Sequence, residues 1–397
     1  MPPNILKRVY EIPDLVCRIV TPTFPVDVLP LPPDDLVGRE PIADDVRRRL
    51  LARQSVLIPG PRRTGKSAVA AEVLRRLGAE PEALTAAVDL FECGDVRELA
   101  RKLTTSVLGS IDSRWQRFQA RSDRALSEAV RNAEFSVGVL GVDLIRWLYR
   151  VEKLETAELL DRALMLPEQV ALRARLPMVI VLDEFQELRA LDPSLGTLKR
   201  MRAHWQRQTQ VAYLFLGSQG SLIRDLFTKS AMPLYRFADV VALPPIEPDD
   251  WEQYIEGKFR MSGWDIVPHA ARELVTRTGG HPFDTMKVLQ AVVRRAERAA
   301  TTAVDRDLAL LGYLDAARDL ARYFEAEVKA SDVPLARAML VRLATGQGLY
   351  VPGVSPSQNR RAADALVASG VLARPAPRRY HFVEPMLAEF LAGADPF

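Results

Sequence analysis

The sequence predicts an α/β protein built on a doubly wound parallel sheet. Three observations carry that expectation. The short apolar run Ser55–Pro59 leads into a glycine-bounded turn and then an alanine- and leucine-rich helix. Five consecutive apolar residues, Met178-Val-Ile-Val-Leu, end in Asp183-Glu184. A third run, Val211-Ala-Tyr-Leu-Phe-Leu, ends in Gly217-Ser218. Strands that are apolar throughout, and polar only at their C-terminal ends, belong inside a parallel sheet covered on both faces. Alternation of such strands with helical patterns gives the doubly wound class, whose chemistry lies at the strands' C-terminal ends.

The elements follow in order. Residues 1–35 are proline-rich and include Thr21-Pro-Thr-Phe-Pro-Val-Asp-Val-Leu-Pro-Leu-Pro-Pro. Proline lacks an N–H and restricts the residue before it, so this stretch reads as an extended arm. Asp34 and Asp35 precede Leu36-Val37-Gly38-Arg39-Glu40, which opens a helical pattern over Ile42–Ala52. After the first strand, 67–77 has the spacing of one helix face, with Gly78 as its expected C-terminal cap. A second strand is expected over 84–91 and a helix over 95–108. Residues 111–176 read as mostly helical, with a glycine-containing interruption at 136–143. Two aromatic–basic clusters fall there: Arg114, Trp115, Arg117 and Phe118, then Arg146, Trp147, Tyr149 and Arg150. Interleaved acidic residues favour snorkelling side chains on amphipathic helices over a base-stacking platform. A helix is expected over 195–207 and a short strand over 240–243. A helical stretch from about 249 to 300 is broken at Gly279-Gly280-His281-Pro282. Helices over 335–344 and 357–369, then two short strands over 370–382, give the order of a winged helix-turn-helix. The expected domains are an arm (1–35), a sheet core (36–246), a helical lid (247–304) and a winged-helix domain (305–397).

Composition narrows the class. The chain has 397 residues, enough for two or three domains, and is 48% hydrophobic and 26% charged, as soluble globular proteins are. A formal net charge of +3 sets up no global field for nucleic acid or membrane. Cys17 and Cys93 make no disulfide framework and read as small buried side chains. No charged-then-apolar signal opens the chain, and no uncharged run is long enough to span a bilayer, so a cytoplasmic location is expected.

Gly60-Pro61-Arg62-Arg63-Thr64-Gly65-Lys66-Ser67 fits G-x-x-x-x-G-K-[ST], the phosphate-binding P-loop. Gly60 and Gly65 let the backbone curl so that its N–H groups meet phosphate oxygens. Lys66 reaches the β- and γ-phosphates, the Ser67 hydroxyl binds Mg²⁺, and the helix beyond adds its positive end. Arg62 and Arg63 project from the loop to phosphate or to a partner domain. Asp183 sits where a P-loop fold places the carboxylate that holds Mg²⁺, and Glu184 can accept a proton from the attacking water. Ser218 and Gln219 end the next strand, beside Asp183, where a hydroxyl can orient that water. Arg236 is the candidate for charge developing on the transferring phosphoryl group.

Together these residues resemble the archaeal-type ATPase family, in the signal-transducing (STAND) branch of AAA+-related P-loop ATPases. The carrying features are Val37-Gly38-Arg39-Glu40, the Pro-Arg-Arg loop and Leu182-Asp183-Glu184-Phe185-Gln186. Gly217-Ser218-Gln219, Pro233-Leu234-Tyr235-Arg236, Gly279-Gly280-His281-Pro282 and the C-terminal pattern add to them. The resemblance spans roughly 36–390. It implies an AAA+-like three-layer fold, with ATP and Mg²⁺ as cofactors. Gly38 and Arg39 would lie near the adenine and ribose, and Gly60 to Ser67 with Ala68 around the phosphates. Lys66, Ser67, Asp183 and Glu184 would be the ATP and Mg²⁺ machinery, and Ser218 a sensor-1 residue. Arg236 would act near the γ-phosphate, from this or a neighbouring subunit. His281 and Pro282 would lie in the lid that reads nucleotide state. The family commonly has glycine before that arginine, whereas here Tyr235 precedes Arg236.

The leading functional reading is an ATPase switch in which ATP draws sheet domain, lid and winged helix together. A second is an ATP-gated DNA-binding protein, with Gln358, Asn359, Arg360 and Arg361 on the recognition helix and Arg374, Arg378 and Arg379 near the wing. A third, a nucleotide-binding scaffold without turnover, sits poorly with intact Lys66, Asp183 and Glu184. The partners expected are ATP and ADP, with DNA, another protein or a second copy of the chain beside them, and no membrane.

Overall fold

A computed structural model describes residues 20–26, 31–79, 83–121, 154–218, 220–330, 333 and 335–393. Cys17, Gln219, the interruption at 136–143 and the cluster Arg146, Trp147, Tyr149 and Arg150 lie outside them. Of Arg114, Trp115, Arg117 and Phe118 only the helical backbone is described.

The first part of the chain alternates helix and strand: α1 (Glu40–Leu51), β1 (Val56–Pro59), α2 (Lys66–Ala79), β2 (Leu84–Asp89), α3 (Val96–Arg121) and α4 (Thr156–Ala174). It continues through β3 (Met178–Asp183), α5 (Leu188–Leu191), α6 (Gly196–Trp205), β4 (Val211–Gly217), α7 (Gly220–Thr228) and β5 (Asp239–Val240). The five strands form one sheet in the order β2-β3-β4-β1-β5, all parallel. Side chains alternate between its two faces. Leu57, Ile180, Leu182, Tyr213 and Phe215 pack on one side, against α3, α4 and α6. Val56, Ile58, Val179, Val181, Leu214 and Leu216 pack on the other, against α1 and α2. Both faces are covered, which is why these strands are apolar at every position. The doubly wound sheet with flanking helices is therefore as the sequence predicts. Cys93 is buried in the first of these cores.

The boundaries differ in places. Gly78 is not a cap, because α2 continues through it to Ala79. The helix expected over 95–108 runs on to Arg121. The strand expected over 240–243 is the pair Asp239–Val240.

The rest of the chain is mostly helical: α8 (Pro248–Met261), β6 (Asp265–Ile266), α9 (Pro268–Thr278), α10 (Pro282–Arg298), β7 (Ala303–Val304) and α11 (Arg306–Ala330). The stretch from 249 to 300 thus has a second break, at 262–267, besides the expected one. Gly279 and Gly280 close α9 with φ of 58° and 65°, a backbone that favours glycine. His281 and Pro282 then start α10, with proline at a position whose N–H has no helical partner. Gly312 lets α11 cross α10 closely, since a Cβ there would lie 2.6 Å from Val292 Cα. The chain continues as α12 (Ala336–Ala344), α13 (Pro356–Ala368), an antiparallel hairpin of β8 (Leu372–Ala376) and β9 (Arg379–Phe382), and α14 (Pro385–Leu391). Asn359 is not on an open recognition face. It is buried, accepts from Val351 N and donates to Val351 O and Val354 O.

One apolar cluster runs through this whole helical part and takes in Phe24 and Val37. Phe24 is buried against Tyr254 and Phe259, and Val20 N donates to Ser262 O at 3.0 Å, so residues 20–26 lie along α8. Among the described residues no helix is long and apolar enough to cross a membrane.

Candidate active site

The sheet order puts β1 between β4 and β5, and the loop after β1 sits at the C-terminal ends of β1, β3 and β4. There the topology opens a crevice. Gly60 N donates to Gly217 O at 3.2 Å, which ties the loop to the end of β4. Thr64 Oγ1 donates to Pro61 O at 2.9 Å, and Gly65 turns with φ of 90°. Lys66 Nζ donates to Pro61 O, so the ammonium is folded back over its own loop. It is only 5% exposed. Burial pulls its pKa down to about 8, against the opposing pull of Glu184 and Asp183.

Ser67 Oγ donates to Asp183 Oδ2 at 2.9 Å, which joins α2 to the end of β3. Asp183 Oδ1 accepts from Glu184 N at 2.8 Å. Burial holds the Asp183 carboxyl above its ordinary value, although the Glu184 N–H and Ser67 hydroxyl work the other way. Glu184 takes a left-handed backbone, φ 47°. Its Oε2 accepts from Gln186 Nε2 at 2.5 Å and from Ser218 Oγ at 2.7 Å. Burial alone would raise the Glu184 pKa. The Gln186 and Ser218 donors, with the charges of Lys66 and Arg62, outweigh it and leave the carboxyl below its usual value.

Of these groups Gly65, Lys66, Ser67 and Glu184 line a cleft of about 280 Å³, and Asp183 and Ser218 stand behind them. Its polar end carries Arg62, Arg63, Lys66, Ser67 and Glu184, with Gly65 and Ala68 beside them. Its apolar end is formed by Val37, Ile246, Trp251, Phe283 and Met286. Arg39 also lines it, 4% exposed, with Nη1 donating to Pro244 O at 2.7 Å. Its Nε is buried and has no hydrogen-bond partner among the described residues. A cleft with cations and loop N–H groups at one end and aromatic and aliphatic walls at the other suits a nucleoside phosphate.

The structure does not bring every expected residue together. Gly38 shapes the entry instead of lining it: its φ is 61°, and a Cβ would come within 2.7 Å of Asp250 Oδ2. Pro282 lines the cleft, but His281 is buried behind it as the cap of α10, with its Nδ1 accepting from Asp284 N. Arg236 is exposed, has a φ of 55° and lies over the Tyr235 ring at 5.2 Å. It does not line the cleft of its own chain.

Sequence reasoning missed five contributors. Gln186 stood in a quoted motif without a role. Trp251, Phe283 and Met286 carried no local pattern beyond helix faces. Glu384 reaches the loop from the far end of the chain: Arg63 Nη1 donates to its Oε1 at 2.9 Å and its Oε2 at 3.2 Å.

Residues 35–216 match the family model described as the AAA ATPase domain. The chain carries an AAA ATPase domain. It is thus an enzyme that binds and hydrolyses ATP. The matched segment runs from the turn before α1 to the end of β4 and contains the P-loop, Asp183 and Glu184. A Walker-type ATPase of Pyrococcus abyssi is similar in fold, with a TM-score of 0.62 at 19% identity, over 90% of this chain and 97% of that one. The ORC2 protein of Aeropyrum pernix, solved as ADPNP–ADP complexes, gives a TM-score of 0.55 at 14% identity, over 93% of this chain and 96% of that one. No curated protein matches.

Proposed function

We propose that this AAA ATPase is a Mg²⁺-dependent molecular switch of the STAND type, in which nucleotide state is coupled to the helical lid (247–304) and to a C-terminal winged-helix domain (305–397). The observation that carries the coupling is the Arg63–Glu384 ion pair. Arg63 sits inside the phosphate loop, while Glu384 is 5% exposed and directly precedes α14. The Arg63 guanidinium also lies 4.4 Å above the Phe283 ring on α10. One side chain of the loop therefore touches both segments that would move. Phosphates entering the loop compete with Glu384 for Arg63, and the competition links occupancy to docking.

The residues present fit the metal. Ser67 Oγ and Asp183 Oδ2 are hard oxygen donors already in contact. Among the described residues no cluster of three or more His, Cys, Asp or Glu could hold an ion alone. That suits Mg²⁺, which is bound by one or two protein oxygens together with phosphates and water. When bound it supplies positive charge against the phosphate oxygens. Lys66 holds the β- and γ-phosphates, Arg39 and the apolar wall take the ribose and adenine, and Glu184 accepts the proton of the attacking water. Arg236, exposed in one copy, would act only on the site of a second copy. Solved structures of ORC2 with ADPNP and ADP support a nucleotide in a fold of this kind.

Chelation tests the metal reading. Phosphate release from ATP should fall to background in excess EDTA and return with added Mg²⁺. Turnover that persists in EDTA would remove Ser67 and Asp183 as metal ligands. Arg63→Gln tests the coupling. A charge pair with its carboxylate buried and its arginine partly exposed holds docking by roughly tenfold, so the variant should speed hydrogen exchange at 385–391 by about that factor. Exchange there that matches wild type would end the latch reading.

The DNA-binding reading keeps one favourable observation: Arg360, Arg361 and Arg379 are exposed. Against it, α13 packs on α7 and Arg374 is paired with Asp364 at 2.6 Å. DNA binding would therefore require the C-terminal segment to leave the sheet domain. A gel shift that appears only with Arg63→Gln would support this second reading.

A further inference from the structure

We infer that Gln186 is a positioning residue for ATP hydrolysis: it fixes the Glu184 carboxylate so that one oxygen is held and the other is left for water. The inference rests on Glu184 being the general base.

The geometry is a closed triangle. Gln186 Nε2 donates to Glu184 Oε2 at 2.5 Å and to Ser218 Oγ at 3.1 Å, and Ser218 Oγ donates to the same Oε2 at 2.7 Å. Both supporting residues are buried, at 3% and 6% exposure. Glu184 itself lines the cleft beside Lys66 and Ser67. Its Oε1 takes no hydrogen bond among the described residues. A carboxylate with two donors on one oxygen has its plane fixed, and the second oxygen keeps its lone pairs for a proton.

The amide can sit only one way round. With its oxygen turned to Glu184 it would face a carboxylate with no proton between them, so the NH₂ group must point there. That leaves Gln186 Oε1 buried and without a hydrogen-bond partner among the described residues. A buried unmade acceptor costs stability, so the donor on the other side of the amide has a value that offsets it. Room for the amide comes from Gly217. A Cβ there would lie 2.6 Å from Gln186 Oε1, so the end of β4 is glycine where the glutamine packs. Glu184 in turn needs its left-handed φ of 47° to turn back over Gln186. The 3₁₀ turn Phe185–Glu187 brings an amide two residues along the chain back to the carboxylate.

A purely structural glutamine would fill space; a positioning one sets the base's orientation. Single-turnover ATP hydrolysis, read beside nucleotide affinity, separates the two. Gln186→Met keeps length and volume and removes the donor. Its maximal rate should fall about tenfold. Affinity for a fluorescent ADP analogue should stay within about twofold, which also reports that the site has folded. Gln186→Glu replaces the donor by a second carboxylate against Glu184 and should lower the rate at least as far; it carries the test if the methionine variant fails to bind nucleotide. In a Glu184→Gln background, Gln186→Met should change nothing more. Rates that match wild type for both Gln186 variants would overturn the inference. Wild-type turnover in Glu184→Gln alone would instead sink the general-base assignment, a separable failure.

Discussion

Replacing Glu184 by glutamine is expected to lower ATP turnover by about 10²–10⁴-fold, the usual contribution of a placed general base. The amide has the carboxylate's shape and can still accept from Ser218 Oγ, so the loop and the end of β3 keep their positions. What it lacks is the charge and the proton affinity. Affinity for ATP should therefore change little, and the loss should appear in the rate of bond cleavage alone. Lys66→Ala supplies the contrast. It removes a buried ammonium that meets the phosphates in ground and transition states alike, so binding and turnover should fall together. The pH dependence has a definite sign. Glu184 is held below its usual value, chiefly by hydrogen bonds that outweigh burial, so the base stays ionised as pH falls through the ordinary glutamate range. Wild-type turnover should hold at mildly acid pH and drop only below it. Phosphate release in Glu184→Gln at a tenth of wild type or more, with ATP bound normally, would remove the base assignment.

The parts of the site legible in the sequence were those built from neighbours in the chain. The P-loop announces itself because strand, turn and helix follow within a dozen residues, and each glycine answers a local backbone demand. The acidic end of β3 is equally local: the apolar run must stop where the strand leaves the core, and Asp183-Glu184 stand at that stop. The apolar wall was hidden for the opposite reason. Trp251 and Met286 sit on helices whose faces look like any buried face, and only packing turns them toward the loop. The Arg63–Glu384 pair joins residues 321 positions apart, a separation at which no periodicity speaks. Asn359 looked like a base-reading side chain because composition alone cannot tell an exposed amide from one that is bound to its own backbone. The missed break at 262–267 has a simple cause. Gly263, at φ 75°, ends α8, yet a single glycine within an apolar rhythm is also compatible with a continuous helix.

Phe185→Ala should be the most damaging single truncation beneath the site, with a stability loss of about 3–5 kcal/mol. Phe185 is fully buried, between the base and the glutamine that holds it. Its ring meets Phe215 edge-on at 4.8 Å, and Phe227 and Trp205 at 5.9 and 6.4 Å. Such aromatic pairs add about 0.5–1.5 kcal/mol beyond the area they bury. The surrounding residues belong to β4, α6 and α7, three separate elements, so the cavity left by alanine has little freedom to collapse. Phe185→Leu keeps most of the volume and should cost far less, on the order of 1–2 kcal/mol. Trp205 lies in the cluster, 4.5 Å from Tyr213, so its fluorescence through a urea titration reports the core directly. A midpoint shift at constant slope is the expected signature of lost stability. The functional consequence follows from the same anchor. Phe185 is the tether that holds Glu184 in its left-handed turn, so the alanine variant, in the folded range, should lose turnover by a larger factor than nucleotide affinity. An unchanged midpoint would show that the cluster repacks around the void, and that the acidic strand end is held by its hydrogen bonds alone.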